Sequence, residues 1–322
     1  MSRKILVTAI VFAVVLMFSV PAQAFWVWTP ETNKWTNPKY SVKDTPQDQL
    51  AYALEFYKDK EYKKTIEEME KLIKHYPRAR EAAEAKYYVG LCYEDQGQLY
   101  QAFKEYQVVI EKYPFSERAG AIVEKQFSIG DQLMEGKQKK SKVLQTIAGG
   151  GYDVIDVYRT VIKNAPYGPF AAHAQYKIGL YLQEKQLYQE ARDEFEKTIN
   201  DYPESEWAKA ARYQIALSDS KRSSGPGYDQ KVTRTAVEEF KSFVKDYPDA
   251  DLSEKAKKEI HNLREKEAEN HFLIAAFYEK QKKFDAAKVY YSEVVRDYQN
   301  TSWAKKALEK IQTLNTLPGG KK

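Results

Sequence analysis

Residues 83–116 carry apolar side chains at helical spacing in two consecutive runs. The first run contains Tyr87, Gly90 and Leu91, and Gly97 marks the break before the second run. The apolar face of the second run is formed by Leu99, Ala102, Phe103, Tyr106, Val109, Ile110 and Tyr113. A proline then ends this run, because proline disfavours helical geometry in the residue before it. The pattern predicts a helical hairpin, which needs similar neighbours to bury both of its apolar faces.

The same pattern returns along the chain. The pair that ends each unit is Tyr-Pro or a weaker copy of it: Tyr76-Pro77, Tyr113-Pro114, Ala165-Pro166, Tyr202-Pro203, Tyr247-Pro248 and Tyr298-Gln299. Twelve residues before the second member of each pair stands a small or short residue: Thr65, Ala102, Val154, Ala191, Ala236 and Ala287. Eight residues before it stands a bulky residue: Met69, Tyr106, Tyr158, Phe195, Phe240 and Tyr291. This spacing resembles the tetratricopeptide repeat, and six units fit: 46–79, 83–116, 123–168, 172–205, 209–250 and 268–301.

The resemblance to the tetratricopeptide repeat implies an all-α fold, a right-handed α-solenoid of about six helical hairpins over residues 46–314. Gly90 leaves room for a neighbouring helix, so we expect a close helix contact there. Residues 252–281 contain no proline or glycine and are rich in Lys, Glu and Ala, which predicts one long helix before the last unit. We expect a short closing helix over 302–313 and a disordered tail over 315–322.

The N-terminus carries the features of a secretory signal peptide over residues 1–24. Arg3 and Lys4 precede an apolar run over 5–20, and Ala22-Gln23-Ala24 matches the Ala-x-Ala cleavage pattern. The alternative is a membrane anchor, but the run is shorter than the roughly 20 residues that span a bilayer. We therefore expect cleavage after Ala24 and export to the periplasm as a soluble chain.

Residues 25–45 form a tryptophan-rich arm that differs from the rest of the chain. The alternation of aromatic and aliphatic residues at its start is typical of a strand, and a turn-like sequence precedes Trp35. One interpretation is an extended arm or small hairpin that packs on the first repeat. The other is an aromatic anchor for a partner or for the membrane interface, formed by Trp26, Trp28 and Trp35.

The composition and the motifs argue against several classes of function. The formal net charge of +5 is small for 322 residues, whereas a nucleic-acid-binding protein requires a basic face. Cys92 is the only cysteine, which excludes a disulfide within the chain, and the four histidines show no metal-binding spacing. The inserted segment 137–151 is rich in glycine and lysine but lacks the phosphate-binding motif. We expect no catalysis, no metal and no cofactor.

A more specific likeness covers residues 228–301, which resemble the BamD family of outer-membrane assembly lipoproteins. The resemblance rests on Asp229-Gln230, Ala236, Phe240, Tyr247-Pro248, Ala256, Ile260, Leu263, Ala268, Phe277-Tyr278, Phe284, Ala287 and Tyr298. It implies a non-enzymatic periplasmic scaffold at the inner face of the outer membrane. Such a scaffold helps a BamA-like barrel protein to insert β-barrel precursors, and it binds the unfolded C-terminal segments of those precursors.

One departure from the BamD pattern keeps two further interpretations open. The lipid-bearing cysteine of the family has no counterpart, because Ala24-Phe25 stands in the equivalent place. The chain also resembles CpoB-like periplasmic repeat proteins, which work with the Tol-Pal envelope system. A structural scaffold with no peptide ligand is the third possibility.

The resemblance to stacked hairpins places the first helix of each unit on the concave side. The fifth residues of the units are Leu50, Tyr87, Phe127, Tyr176, Tyr213 and Phe272, and the ninth are Leu54, Leu91, Asp131, Leu180, Leu217 and Ala276. One interpretation is that the fifth residues pack between repeats. The functional interpretation is a peptide-binding groove, for which the candidates are Leu54, Tyr57, Tyr87, Leu91, Phe127 and Met134.

Overall fold

The computed structural model describes residues 27–29, 34–36, 41–136, 154–222 and 230–316. Within them the chain forms thirteen α-helices and one two-stranded antiparallel sheet, β1 (Val27–Thr29) with β2 (Lys34–Thr36). The helices are α1 (Pro46–Lys58), α2 (Tyr62–His75), α3 (Arg80–Asp95), α4 (Leu99–Lys112), α5 (Ala119–Met134), α6 (Val154–Asn164), α7 (Ala171–Glu184), α8 (Tyr188–Asp201), α9 (Glu206–Arg222), α10 (Gln230–Asp246), α11 (Asp251–Lys280), α12 (Phe284–Asp297) and α13 (Ser302–Thr316). None of these helices is long and apolar enough to cross a membrane.

The helices pair as the repeat pattern predicts. Five hairpins are formed by consecutive helices from α1 to α10, and the C-terminal part of α11 forms the sixth with α12. The all-α class and the long helix before the last hairpin are therefore confirmed, and α13 follows as a closing helix. The contacts divide the chain into two compact units, residues 1–119 (unit 1) and 120–322 (unit 2). The predicted signal peptide, Trp26, the insertion at 137–151 and the tail after residue 316 lie outside the described residues.

In five of the hairpins, the first helix is followed by a residue in the left-handed conformation, within the part of the chain that the structure describes. These residues are Lys60, Gly97, Gly136, Gln186 and Lys282, with φ between 60° and 73°. At the second hairpin, the N–H of Gly97 donates to the carbonyl of Glu94, and the N–H of Gln98 donates to that of Tyr93. This is the Schellman arrangement, which satisfies the last carbonyls of a helix and reverses the chain.

The turn between hairpins is made by the Tyr-Pro pair. The N–H of Tyr113 makes the last helical bond, to the carbonyl of Val109 at 2.9 Å. Pro114 has no N–H and excludes helical geometry before it, and Tyr113 accordingly leaves the helical region at φ −129° and ψ 61°. The N–H of Ser116 then bonds to the carbonyl of Tyr113 at 2.9 Å, which turns the chain toward the next hairpin.

The core of every hairpin joins a small residue on the first helix to a bulky residue on the second. The bulky side chains are fully buried: Met69, Tyr106, Tyr158, Phe195, Phe240 and Tyr291. The small residues that belong to the same packing are Ala53, Gly90, Gly130, Gly179, Ala216 and Ala275. Where the bulky residue is tyrosine, its hydroxyl donates to a carboxylate of the first helix: Tyr106 to Glu94, Tyr158 to Asp131 and Tyr291 to Glu279.

The long helix α11 belongs to two cores. Its N-terminal half buries Ala256 and Leu263 against α9 and α10. Its C-terminal half buries Ala268 and Ala275 with α12, and the closing helix adds Leu314 to that cluster. The Tyr247-Pro248 turn leads directly into α11, and no turn separates the half of α11 that belongs to the fifth core from the half that belongs to the sixth.

Candidate interaction surfaces

Unit 1 carries a half-exposed apolar surface on α1 and α3, formed by Leu54, Tyr57, Tyr88 and Leu91 (the unit 1 surface). Leu54 and Tyr57 lie one turn apart on α1, and Tyr88 and Leu91 lie one turn apart on α3. The rings of Tyr57 and Tyr88 join the two helices with centroids 5.2 Å apart in an edge-to-face contact. Three of the residues predicted for the groove, Leu54, Tyr57 and Leu91, therefore lie together, and Tyr88 is an addition that the structure makes.

The hydroxyl of Tyr57 is held by a carboxylate. It donates to Asp95 over 2.8 Å, which fixes the ring at the end of α3. Burial, followed by the hydrogen bond to Asp95, raises the pKa of Tyr57 well above its ordinary value. The hydroxyl therefore stays protonated at physiological pH, and the surface presents a fixed aromatic face with a polar edge.

Tyr87 and Phe127, both predicted for the groove, lie in the cores of their hairpins. Tyr87 is 8% exposed and Phe127 is 7% exposed. Their rings pack against the bulky residue of the second helix, Tyr87 against Tyr106 at 5.7 Å and Phe127 against Tyr158 at 5.8 Å between centroids. Tyr87 and Phe127 are therefore packing residues of their hairpins, as the first of the two interpretations states, and their rings are not available to a peptide.

Met134 is half-buried in unit 2, with its sulfur 4.0 Å from the hydroxyl of Tyr158. Phe127, which also packs against Tyr158, belongs to a row of rings that continues through His173 to Trp207. His173 stacks on Trp207 with centroids 3.6 Å apart and planes at 7°. Burial, followed by the positive charge of Lys177, lowers the pKa of His173 to about 4, so this ring is neutral at physiological pH.

The tryptophan-rich arm presents two indole rings on the two-stranded sheet. Trp28 and Trp35 are directly opposite in the antiparallel register, and their ring centroids are 5.6 Å apart. Trp28 is 41% exposed and Trp35 is 61% exposed, so both rings retain a large accessible face. The strand predicted at the start of the arm is present and pairs with a second strand, and Trp26 lies outside the described residues.

A further exposed apolar surface, which the sequence analysis missed, lies on α11 and α12. Leu273 and Phe277 are each 57% exposed and lie one turn apart on α11. The ring of Tyr278 contacts that of Phe277 at 5.8 Å and stacks on that of Tyr290 at 5.3 Å. We call Leu273, Phe277, Tyr278 and Tyr290 the α11 patch.

The helical period alone could not reveal the α11 patch, because Phe277 occupies a position that is buried in α3. Cys92 holds the place in α3 that Phe277 holds in α11, and it is buried beside Thr65 of the preceding hairpin. In the sixth hairpin the preceding segment is the same continuous helix, and the equivalent ring is more than half exposed. The feature of the sequence that could have indicated this patch is the unusual length of α11.

The described residues offer little to catalytic or metal chemistry. No group of three His, Cys, Asp or Glu side chains within them could hold a metal ion. Burial raises the pKa of the Cys92 thiol to about 12, so the thiolate is not available at neutral pH. The surfaces above are suited to binding other chains.

Solved repeat proteins match the chain at low sequence identity. A tetratricopeptide repeat protein from Parabacteroides merdae matches with 14% identity and a TM-score of 0.35, over 84% of this chain and 99% of that chain. The C-terminal part of a repeat protein from Cytophaga hutchinsonii matches with 15% identity and a TM-score of 0.38, over 82% and 88%. YrrB, described as a repeat protein with an unusual peptide-binding site, matches with 14% identity and a TM-score of 0.35, over 66% and 92%.

Two family models match the sequence, and they cover different parts of it. A tetratricopeptide repeat model matches residues 84–116, the hairpin of α3 and α4. The model of YfiO, described as an outer membrane lipoprotein, matches residues 163–322, which include α11 and its patch. No curated protein matches the chain significantly. The chain thus has the helical-hairpin architecture of tetratricopeptide repeats, and its residues 163–322 are similar to the outer membrane lipoprotein family YfiO.

Proposed function

We propose that this chain is a non-enzymatic periplasmic scaffold of the machinery that assembles β-barrel proteins in the outer membrane, comparable in role to BamD. The observation that carries the proposal is the match of residues 163–322 to the outer membrane lipoprotein family. Tetratricopeptide repeats are stacked helical hairpins that offer extended surfaces to other proteins. The scaffold would stay peripheral to the membrane and bind a BamA-like barrel protein and unfolded precursors.

The α11 patch is the surface we assign to the BamA-like partner. It lies inside the segment that matches the family, and it exposes Leu273 and Phe277 more than any ordinary core position would. Lys283 lies 6.0 Å from the centre of the Tyr278 ring, so the apolar centre has a basic margin. Protein interfaces typically have aromatic residues at their centre, where most of the binding energy arises, and polar residues at their margin.

The test for this assignment is affinity isolation of the tagged chain from native envelopes. The wild-type chain is expected to recover a barrel assembly factor, and the double variant Leu273→Ala/Phe277→Ala is expected to lose it. Tyr167→Ala removes a fully exposed aromatic residue elsewhere in unit 2 and is the matched control. Recovery of Tol-Pal components without any barrel assembly factor would reject the proposal in favour of a CpoB-like role.

The unit 1 surface is the place we assign to unfolded precursor segments. It joins two aliphatic side chains, Leu54 and Leu91, to the edge-to-face pair of Tyr57 and Tyr88. An extended chain with alternating aromatic and aliphatic residues would bury its side chains against this face. Contacts of this kind give a loose sequence preference, which a protein that receives many barrel precursors requires.

Titration of a labelled peptide with a C-terminal aromatic residue tests this second assignment. Tyr57→Ala and Leu91→Ala should each weaken binding by roughly 5- to 10-fold, because each removes about 1 kcal/mol of apolar contact. Phe115→Ala, at a nearly fully exposed ring of the same unit, is the control that should bind as the wild type does. Circular dichroism must show that helicity is kept, and equal binding by all three folded variants would remove the site from this surface.

A further inference from the structure

The Trp28–Trp35 pair forms one aromatic face on the N-terminal arm. Residues directly opposite on neighbouring strands project from the same side of a sheet, and Trp28 and Trp35 are such a pair. Their rings are in contact, at 5.6 Å between centroids and 57° between planes. Trp28 nevertheless keeps 41% of its surface accessible, and Trp35 keeps 61%. The arm thus exposes two adjoining indoles instead of burying them between the strands.

Indole rings have a known preference among environments. They combine a large apolar ring with one N–H donor, and they are enriched where one side is apolar and the other is wet. The boundary between lipid headgroups and acyl chains supplies both conditions, and tryptophan is concentrated there in membrane proteins. Two indoles side by side double the apolar area that such a boundary can receive.

The position of the arm in the chain selects a membrane as its partner. The arm begins directly after the apolar run at 5–20 and the Ala22-Gln23-Ala24 pattern, so it is the first segment behind the predicted export signal. The family that matches residues 163–322 is described as lipoproteins of the outer membrane. Cys92, the one cysteine of the sequence, is buried in α3, where an acyl chain could not be attached without opening the hairpin.

We propose that the Trp28–Trp35 pair inserts into the headgroup region of a phospholipid bilayer and holds the scaffold against the membrane surface. This inference rests on the proposed function, since it places the chain at the outer membrane. Residues 25–45 contain three lysines, one glutamate and one aspartate, a net charge of +1. Charge therefore contributes little, and the binding is apolar in character and weakly sensitive to salt.

The experiment is co-sedimentation of the exported protein, its N-terminus verified by mass spectrometry, with vesicles of phosphatidylethanolamine and phosphatidylglycerol. The wild-type chain should sediment with the vesicles, and Trp28→Ala/Trp35→Ala should lower the partition coefficient by about tenfold or more, from the apolar area removed. Phe115→Ala removes an exposed ring of unit 1 outside the arm and should sediment as the wild type does. Vesicles with brominated acyl chains should quench the tryptophan fluorescence of the wild-type chain and not that of the double variant.

Three results would overturn the inference: a wild-type chain that stays in the supernatant, a double variant that partitions as the wild type does, or binding that disappears when the salt concentration is raised. Affinity isolation with the same double variant separates this inference from the proposed function. If the variant leaves the vesicles and still recovers a barrel assembly factor, both stand. If the wild-type chain binds vesicles and recovers no such factor, the proposed function fails and membrane docking remains.

Discussion

Gly90 of α3 lies against the ring of Tyr106 of α4, so closely that a β-carbon at position 90 would fall 2.6 Å from Cδ1 of that ring. The same relation joins Gly130 to Tyr158 and Gly179 to Phe195. In each hairpin the ring fills the space that the absent side chain leaves, and the two helices approach until the ring touches the backbone. A rigid, buried ring cannot move aside as a flexible side chain could.

Replacing Gly90 should therefore be costly. Gly90→Leu is expected to lower the free energy of unfolding by at least the roughly 1–3 kcal/mol typical of overpacking. The measurement is urea unfolding followed by circular dichroism. Gly120→Leu is the matched control, because no atom lies within 4 Å of a β-carbon placed there. Equal stability of the Gly90 variant and the wild type would contradict the packing described for the second hairpin.

The left-handed turn residues predict stabilising changes. Gln186 is exposed and has a φ of 63°. Gln186→Gly should raise the free energy of unfolding by about 0.5–1 kcal/mol, since glycine adopts this conformation without a steric penalty. Gly97→Ala, at a φ of 72°, should lower it by a similar amount. The two variants must shift the urea midpoint in opposite directions, and a shift of both in the same direction would reject the explanation.

The stacked His173 predicts a dependence of stability on pH. Its pKa falls from an ordinary 6.5 to about 4 in the folded chain, first because of burial and then because of Lys177. Between these values the unfolded chain binds a proton that the folded chain does not, so folding stability is lost as the pH falls from 6.5 toward 4. His173→Phe keeps a ring beside Trp207 and should lose less stability over this range.

Urea midpoints at pH 7 and pH 4.5 measure the effect of His173. The carboxylates titrate in both proteins, so the difference between wild type and variant isolates the histidine. If the urea midpoints of His173→Phe and the wild type fell equally between pH 7 and pH 4.5, the His173 ring would take up its proton in the folded state, and the prediction would be wrong.

Cys92 serves as a single internal probe of unit 1. The side chain is buried, and burial raises the pKa of its thiol to about 12. Iodoacetamide should react with Cys92 only when α3 opens, because the thiolate is the reactive form and the buried thiol stays protonated. The rate of labelling should therefore equal the rate at which α3 opens. Mass spectrometry over time, with and without urea, gives that rate. Immediate modification of the folded chain would show that α3 is open around Cys92.

Export with cleavage remains a prediction of the sequence. The Ala22-Gln23-Ala24 pattern predicts a mature N-terminus at Phe25 without a lipid. Intact-mass measurement of the protein from the periplasmic fraction decides the matter. A chain that begins at Met1, or one that stays in the inner membrane, would contradict the prediction.

The sequence by itself determined the repeat. Tyr-Pro pairs at regular spacing, with a small residue and then a bulky residue before each, predicted the six hairpins, the closing helix and the uninterrupted α11. These features are local, because proline, glycine and the helical period act within one or two turns of the chain. The buried position of Met69, Tyr106 and Phe195 followed from the same pattern.

Only the tertiary structure decided which apolar side chains remain accessible. Tyr87 and Tyr88 are neighbours in the sequence, yet the first is buried against Tyr106 while the second lies half-exposed beside Tyr57. Phe277 matches the buried Cys92 in register and is more than half exposed. The core that α11 shares with α9 and α10 lies in its N-terminal half, and Phe277 lies beyond that core. The helical period predicts which face of a helix is apolar. Whether that face is exposed depends on whether another element covers it, and such a contact joins residues that are distant in the sequence.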